Sequence, residues 1–166
     1  MIDETIGVEK VDLAEGFPWM CAQAIYIAGP ITKLGWARSI HAAHTVSRIE
    51  GRLVDDGFAV INAYSSVHSW ANHNPLKVTK ADWMRAALTK IKMLYTMQEM
   101  GLLEASILML SFDENMEVNY EGPYKWEDSD GSVEEYGFTQ ELGVKAYLWA
   151  EDDESWDLVP CNGGEA

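Results

Sequence analysis

Cationic side chains are scarce in this chain. Lys and Arg number 12 against 27 Asp and Glu, which gives a formal net charge of −15 at pH 7. A protein that binds a nucleic-acid backbone needs clustered cations to displace the counterions of the phosphates. Because the sequence has no such cluster, we expect no nucleic acid among its partners, and we interpret the acidity as an aid to solubility.

Cysteines, long apolar runs and a basic N-terminal region are also lacking. Cys21 and Cys161 lie far apart and neither stands in a metal-ligand spacing, which argues against a disulfide scaffold. No stretch approaches transmembrane length, and the first residues lack the basic region of a secretory signal. We therefore expect no membrane partner and a reducing cytoplasm, bacterial or of a phage-infected host.

Continuous apolar runs are what the chain does have. Its 166 residues, 48 % of them hydrophobic, are enough for one domain with a real core. Residues 24–27, 58–61 and 105–110 are short, apolar and β-prone, which is typical of strands in a sheet that is covered on both faces. Residues 156–159 are a weaker candidate for a last strand.

Helical patterns separate the first three strands. Ser39 is a plausible N-cap for a helix whose apolar stripe reaches Leu53, and residues 55–57 (Asp-Asp-Gly) end it. Residues 79–82 resemble a capping box and predict a second helix that runs to Met100.

A third helix is predicted after the third strand. It begins between Ser132 and Phe138, and apolar residues at helical spacing extend it to about Ala150. Gly143 lies inside this stretch, at some cost to helix stability.

Strands that alternate with helices predict an α/β fold. The pattern favours a three-layer, Rossmann-like (flavodoxin-like) parallel sheet of about four to five strands flanked by helices. We assign the domain to residues 23–160, with an N-terminal extension over residues 1–22 and a C-terminal tail over residues 161–166. Ligands of such sheets bind outside the carboxyl ends of the strands, so the loop at Gly29 is the first candidate site.

Two short motifs carry a resemblance. Residues 26–31 (Tyr-Ile-Ala-Gly-Pro-Ile) resemble the opening motif, Tyr-x-Ala-Gly-Pro, of the nucleoside 2-deoxyribosyltransferase superfamily. Residues 137–146 (Gly-Phe-Thr-Gln-Glu-Leu-Gly-Val-Lys-Ala) are similar to the Gly-x-x-x-Glu-(Leu/Ile)-Gly-x-Ala segment of that family, with one residue more before the alanine. Residues 57–62 resemble the second strand of its short, phage-type members, so the resemblance covers roughly residues 24–160.

The resemblance implies roles for three residues. Matching the glycines places the nucleophilic glutamate of the family on Glu141, and Tyr26 matches the tyrosine whose hydroxyl orients it. Glu135 falls where many members carry an aspartate that acts on the base. A second register, with Gly131 as the leading glycine, makes Glu135 the nucleophile instead, but no Leu-Gly pair follows it there. We therefore predict Glu141 as the nucleophile.

The resemblance further implies an enzyme that cleaves or exchanges the N-glycosidic bond of a (deoxy)nucleoside, and we expect no cofactor. The glutamate attacks the anomeric carbon while an acid protonates the base, and a second base or water then takes the sugar. Two alternatives stay open. One is a (deoxy)nucleoside monophosphate N-glycosidase, in which Ser132 near a helix N-terminus helps to bind the phosphate. The other is a non-catalytic nucleotide-binding protein on the same fold.

Family members are usually oligomeric, with a neighbouring chain that closes the site. The resemblance therefore implies a homo-oligomer with its site near the subunit interface.

Further residues are predicted to contact the nucleoside or nucleotide. Small residues after the first strand let the backbone approach a ligand, and an aromatic side chain there can cover a base. Asp82 and Arg85 have a structural alternative, because they can pair or cap their own helix. The predicted substrate-binding residues are Ala28, Gly29, Pro30, Trp36, Asp82, Arg85, Ser132 and Gly137.

Two patterns that could hold a metal ion are better explained otherwise. His41 and His44 stand three residues apart on a predicted helix, where a surface or packing role is commoner than ligation. Residues 113–117 faintly resemble a calcium loop, but Val118 stands where the turn glycine should be. We predict no metal site and interpret the connection over residues 111–130 as a solvated acidic loop.

Overall fold

Five strands form one sheet in the computed structural model, which describes residues 20–66 and 79–161. Their order is β2-β1-β3-β4-β5; β1 to β4 are parallel, and β5 runs antiparallel to β4. This mostly parallel sheet with helices on both faces confirms the predicted Rossmann-like, three-layer α/β class. The strands are β1 (Gln23–Ala28), β2 (Phe58–Asn62), β3 (Glu104–Met109), β4 (Lys145–Glu151) and β5 (Trp156–Pro160).

Three helices of the described residues cover the sheet: α1 (Gly35–Asp55), α2 (Lys80–Glu99) and α3 (Asp130–Leu142). Side chains alternate between the two faces of a strand, and β1 therefore contributes to two cores. Ile25 and Ile27 pack with the apolar face of α1. Tyr26 lies in the other core, on the face that α2 and α3 cover. The Tyr26 side chain is thus buried between the sheet and these two helices.

The start of α1 differs from the prediction. The helix begins at Gly35, after a short 3-10 turn at Thr32–Leu34, and not after Ser39. Ser39 is buried within the helix, and its hydroxyl donates a hydrogen bond to the carbonyl of Ile31 at 2.9 Å. The side chain therefore bonds back to the preceding loop and does not cap the helix.

The predicted extension of the third helix to Ala150 is wrong. Gly143 has φ = 74°, the left-handed conformation that glycine adopts readily, and it ends α3 directly after Leu142. Residues 145–151 then form β4, a strand that we did not predict. The apolar residues over this stretch pack on the sheet and do not continue a helical stripe.

Other boundaries agree with the prediction. The capping box of α2 is present, since the amide of Asp82 bonds the Thr79 hydroxyl and the Asp82 carboxylate accepts from the amide of Thr79. The predicted last strand is present as β5. Most of the predicted N-terminal extension, and residues 67–78 between β2 and α2, lie outside the described residues. Within the described part of the chain, no helix combines the length and apolar content that a membrane span requires.

Candidate functional site

The candidate site lies where β1 to β3 end and α3 begins. Gly29 and Pro30 follow β1, Tyr64 follows β2 in a 3-10 turn, and Ser111 follows β3. In a parallel sheet these carboxyl ends meet at one edge. The edge therefore gathers four segments that are distant in the sequence.

Glu135 is the buried acid of this site. It lies on the inner side of α3, is 7 % exposed, and is hydrogen-bonded to the hydroxyl of Tyr26. Burial raises the pKa of the Glu135 carboxyl to about 7, against the opposing effect of the Tyr26 hydrogen bond. The charge of Glu134 raises the pKa further, and that of Lys90 lowers it. The group therefore exchanges its proton near neutral pH.

Tyr26 is the hydrogen-bonding partner on the sheet. Burial raises the pKa of its hydroxyl far above the ordinary value, and the charge of Glu135 raises it further. The hydroxyl therefore stays protonated and donates to the carboxylate when Glu135 is ionised. This confines the orientation of the Glu135 side chain.

Two oxygens on the inner face of α3 are buried without a hydrogen-bond partner among the described residues. They are Oε2 of Glu135 and Oγ of Ser132. Residues three apart share a face of a helix, so the two lie one above the other. Native proteins rarely leave such groups unpaired. A bound polar molecule is a natural partner for them.

The turn after β1 is closely packed. A Cβ on Gly29 would overlap the hydroxyl oxygen of Tyr64 and come within 2.9 Å of the Leu110 carbonyl oxygen. Ala28 and Pro30 are buried beside it. Glycine is needed at this position because of the close approach of its neighbours.

Glu141 lies apart from this cluster. Its side chain is exposed in the last turn of α3, just before Gly143. Six residues on an α-helix turn by about 600°, which puts Glu141 about 120° around the helix from Glu135. Tyr26 therefore pairs with Glu135, as in the second register, and not with Glu141 as we predicted. Which glutamate is the nucleophile stays a prediction.

The remaining predicted contacts lie at the surface. Trp36 is 47 % exposed in the first turn of α1. Gly137 is exposed on α3, with open space where a side chain would lie. Asp82 and Arg85 form an ion pair of 2.7 Å in the first turns of α2. They therefore pair on their own helix, as in the structural alternative to substrate binding.

The acidic connection over residues 111–130 is folded and attached to α1. Phe112 forms isolated bridges with Val118 and Tyr124. The ammonium group of Lys33 donates to the backbone carbonyl of Asp128, and the guanidinium of Arg38 lies 5.4 Å from the centre of the Tyr124 ring. Lys33 and Arg38 therefore attach this loop to the segment that follows β1.

The weak calcium pattern at residues 113–117 is held by hydrogen bonds within the loop. The Asp113 carboxylate accepts hydrogen bonds from the backbone amides of Asn115 and Glu117. Among the residues that the structure describes, no three His, Cys, Asp or Glu side chains are grouped as a metal site requires.

Sequence reasoning missed Tyr64 and Lys90. Tyr64 stands two residues after β2, at the edge where ligands of parallel sheets bind, and this position was the available signal. Lys90 lies in the middle of α2, and only the packing of the helices brings its charge near Glu135.

The chain was compared with protein-family models, characterised proteins and solved structures, and no match was found. The resemblance to the nucleoside 2-deoxyribosyltransferase superfamily therefore rests on the short motifs and stays a prediction.

Proposed function

We propose that the protein cleaves or exchanges the N-glycosidic bond of a (deoxy)nucleoside, with Glu135 as the nucleophile. One observation carries this proposal: a buried carboxyl group lies near the carboxyl ends of the parallel strands, held by the Tyr26 hydroxyl, and its Oε2 has no hydrogen-bond partner in the part of the chain that the structure describes. Glu135 replaces Glu141 in the proposal because Glu141 is exposed on another side of α3.

The proposed reaction has two steps. In the first, ionised Glu135 forms a bond to the anomeric carbon, the carbon–nitrogen bond breaks, and the base leaves with a proton from an acid or from water. In the second, another base or a water molecule attacks the same carbon and the carboxylate is released. Splitting one displacement into two easier ones is the advantage of a carboxylate nucleophile.

The surroundings of Glu135 suit this role. A carboxylate removed from water loses the hydration that makes it a weak nucleophile, at the cost of a raised pKa. The Tyr26 hydrogen bond offsets part of that cost and orients the group. The result is a carboxyl group that is substantially ionised at neutral pH.

Base exchange tests the proposal. The protein is mixed with 2′-deoxyadenosine, 2′-deoxycytidine, thymidine or their 5′-monophosphates and with a second free base, and products are followed by chromatography. We expect exchange or release with at least one of them. If neither base exchange nor base release occurs with any of these compounds, the catalytic proposal is contradicted.

Matched variants identify the nucleophile. Glu135→Gln should reduce turnover by about 10³-fold or more, because an amide cannot form the glycosyl ester. Glu141→Gln, on the same helix, should keep most of it. The opposite result would restore Glu141 as the nucleophile. Intact-mass measurement should detect a glycosyl adduct in the wild-type chain and none in Glu135→Gln.

A monophosphate substrate is the second candidate. Ser132 lies in the first turn of α3, and its buried hydroxyl has no hydrogen-bond partner within residues 20–66 and 79–161. Helix N-termini favour anions. If monophosphates are hydrolysed in preference to nucleosides, this candidate is supported. Thermal stabilisation by these compounds without any turnover would instead support a binding protein.

We also propose that the chain works in the cytoplasm as a homo-oligomer. A groove of about 1010 Å³ runs along α2 and α3, and Met93 in it is 61 % exposed. Met84, which also lines the groove, lies next to Gly131 at the start of α3. A second copy seated in this groove would therefore lie next to the start of α3, the helix that carries Glu135.

A further inference from the structure

Tyr64 is a buried group that the proposed reaction does not use. It is 1 % exposed, and its hydroxyl donates a hydrogen bond to the carbonyl oxygen of Pro30 at 2.9 Å. Its backbone amide donates to Oδ1 of Asn62 at 2.8 Å, and its ring meets that of Phe112 edge-on, with centroids 6.0 Å apart. The side chain thus connects the ends of β1 and β2 with the acidic loop.

Tyr64 and Gly29 fit each other. Any side chain on Gly29 would overlap the Tyr64 hydroxyl, so the hydroxyl occupies the space that the missing Cβ leaves. The same hydroxyl bonds the carbonyl of the next residue, Pro30. The Tyr64 hydroxyl therefore fixes the position and the orientation of the turn after β1.

The turn and the buried acid are close enough to interact through Tyr64. Burial raises the pKa of its hydroxyl well above the ordinary value, and the charge of Glu135 adds to the shift. The hydroxyl therefore stays a donor to Pro30 over the working pH range. The groups that face Glu135 are Tyr26, Tyr64, Glu134 and Lys90.

We infer that Tyr64 is a positioning residue that sets the turn at Gly29 and Pro30 against which the sugar of the nucleoside lies. This inference rests on the proposed function. Tyr64 acts through the backbone of the turn, whereas Tyr26 acts on Glu135 directly. The two tyrosines therefore have separable effects on catalysis.

Tyr64→Phe separates the two effects. It removes the bond to Pro30 but keeps the ring against Phe112, so KM should rise about tenfold while kcat changes much less. The pH midpoint of kcat should stay near that of the wild type. Tyr26→Phe should move that midpoint upward instead, because the bond that favours ionised Glu135 is lost.

Tyr120→Phe is the matched control. The Tyr120 hydroxyl also donates a hydrogen bond to a backbone carbonyl, that of Met109, at 3.0 Å. This bond lies at the end of β3 and not at the turn after β1. Its loss should lower stability and leave KM unchanged. Equal KM effects in Tyr64→Phe and Tyr120→Phe, or an unchanged KM in Tyr64→Phe, would overturn the inference while leaving the proposed function intact.

A double variant tests the fit to Gly29 by thermal unfolding, without any assay of activity. Gly29→Ala should destabilise the protein, and adding Tyr64→Phe should restore part of the loss, because the overlap with the hydroxyl is removed. The contact with the Leu110 carbonyl remains, so the rescue is partial. Additive losses would overturn the pairing. A wild-type protein without turnover or nucleoside binding overturns the proposed function and this inference together.

Discussion

At the scale of single residues, Glu135 determines how stability depends on pH. Its folded pKa of about 7 lies above the ordinary value of 4.5, so the folded state binds the proton more tightly than the unfolded chain. Its contribution to stability is therefore fully present below pH 4.5 and is lost as the pH rises to about 7. The shift corresponds to about 3 kcal/mol.

Glu135→Gln should therefore stabilise the protein at pH 8, because the amide is never ionised. At pH 5 the free energies of unfolding of the variant and the wild type should differ little. Urea unfolding at both pH values measures it, with Glu141→Gln as the exposed control. If the variant is no more stable than the wild type at pH 8, ionised Glu135 does not destabilise the folded state.

The same carboxyl group sets the pH dependence of turnover. The nucleophile must be ionised, so kcat should rise with pH through about 7 and then level off. Glu134→Gln removes a neighbouring negative charge that raises the pKa, and should move the midpoint to lower pH. A profile measured between pH 5 and 9 tests this. A midpoint that stays fixed in Glu134→Gln would contradict the electrostatic account.

At the scale of elements, α3 shows what the sequence could and could not predict. Its most buried residues are polar, at Ser132, Glu135 and Thr139. The apolar residues Phe138 and Leu142 pack in the same core as Tyr26, and they lie three and seven residues after Glu135, so the apolar stripe marks the face on which Glu135 lies. Tyr26 could be placed because its strand is apolar on both sides. The motif register selected Glu141 instead of Glu135. The burial of a glutamate on this face could not be predicted, because it depends on a hydrogen bond from Tyr26 in a distant strand.

The acidic loop is a second element whose order the sequence did not indicate. A Cβ on Gly122 would lie 2.8 Å from the Phe112 carbonyl carbon and 2.9 Å from Cα of Asp113. Because these are backbone atoms of a bridged segment, Gly122→Ala should cost about 2 kcal/mol or more.

Gly51→Ala is the control for this loop variant. Gly51 lies in α1 with open space around it, and the change should stabilise by about 0.5–1 kcal/mol through helix propensity. Thermal unfolding compares the two variants. If Gly122→Ala is as stable as the wild type, the loop is not packed as described.

At the scale of the whole molecule, the groove along α2 predicts association. Sedimentation equilibrium should give a multiple of the chain mass of 18.6 kDa. Met93→Glu should shift the protein toward single chains, because a charge in an apolar interface is costly. Val54→Glu, at an exposed apolar residue of α1, should leave the mass unchanged. A wild-type mass of one chain would contradict the oligomer.

The fold class could be predicted because apolar runs and helical patterns alternate along most of the chain. The direction of the last strand could not be predicted in the same way. β4 and β5 are joined by a short turn, at which the amide of Asp152 bonds the carbonyl of Ser155. Because we did not predict β4, the pattern predicted β5 as the fourth strand of a parallel sheet.

The strand order also affects how the chain folds. Among the described strands β1 is synthesised first, yet it lies inside the sheet between β2 and β3, where Gln23 pairs with Phe58 on one side and Glu104 on the other. Glu135 follows later still, so its contact with Tyr26 closes a loop of more than a hundred residues. Such non-local contacts slow folding. The nascent chain therefore acquires helices and local turns well before it acquires a site, and ligand binding reports completed folding better than helix content does.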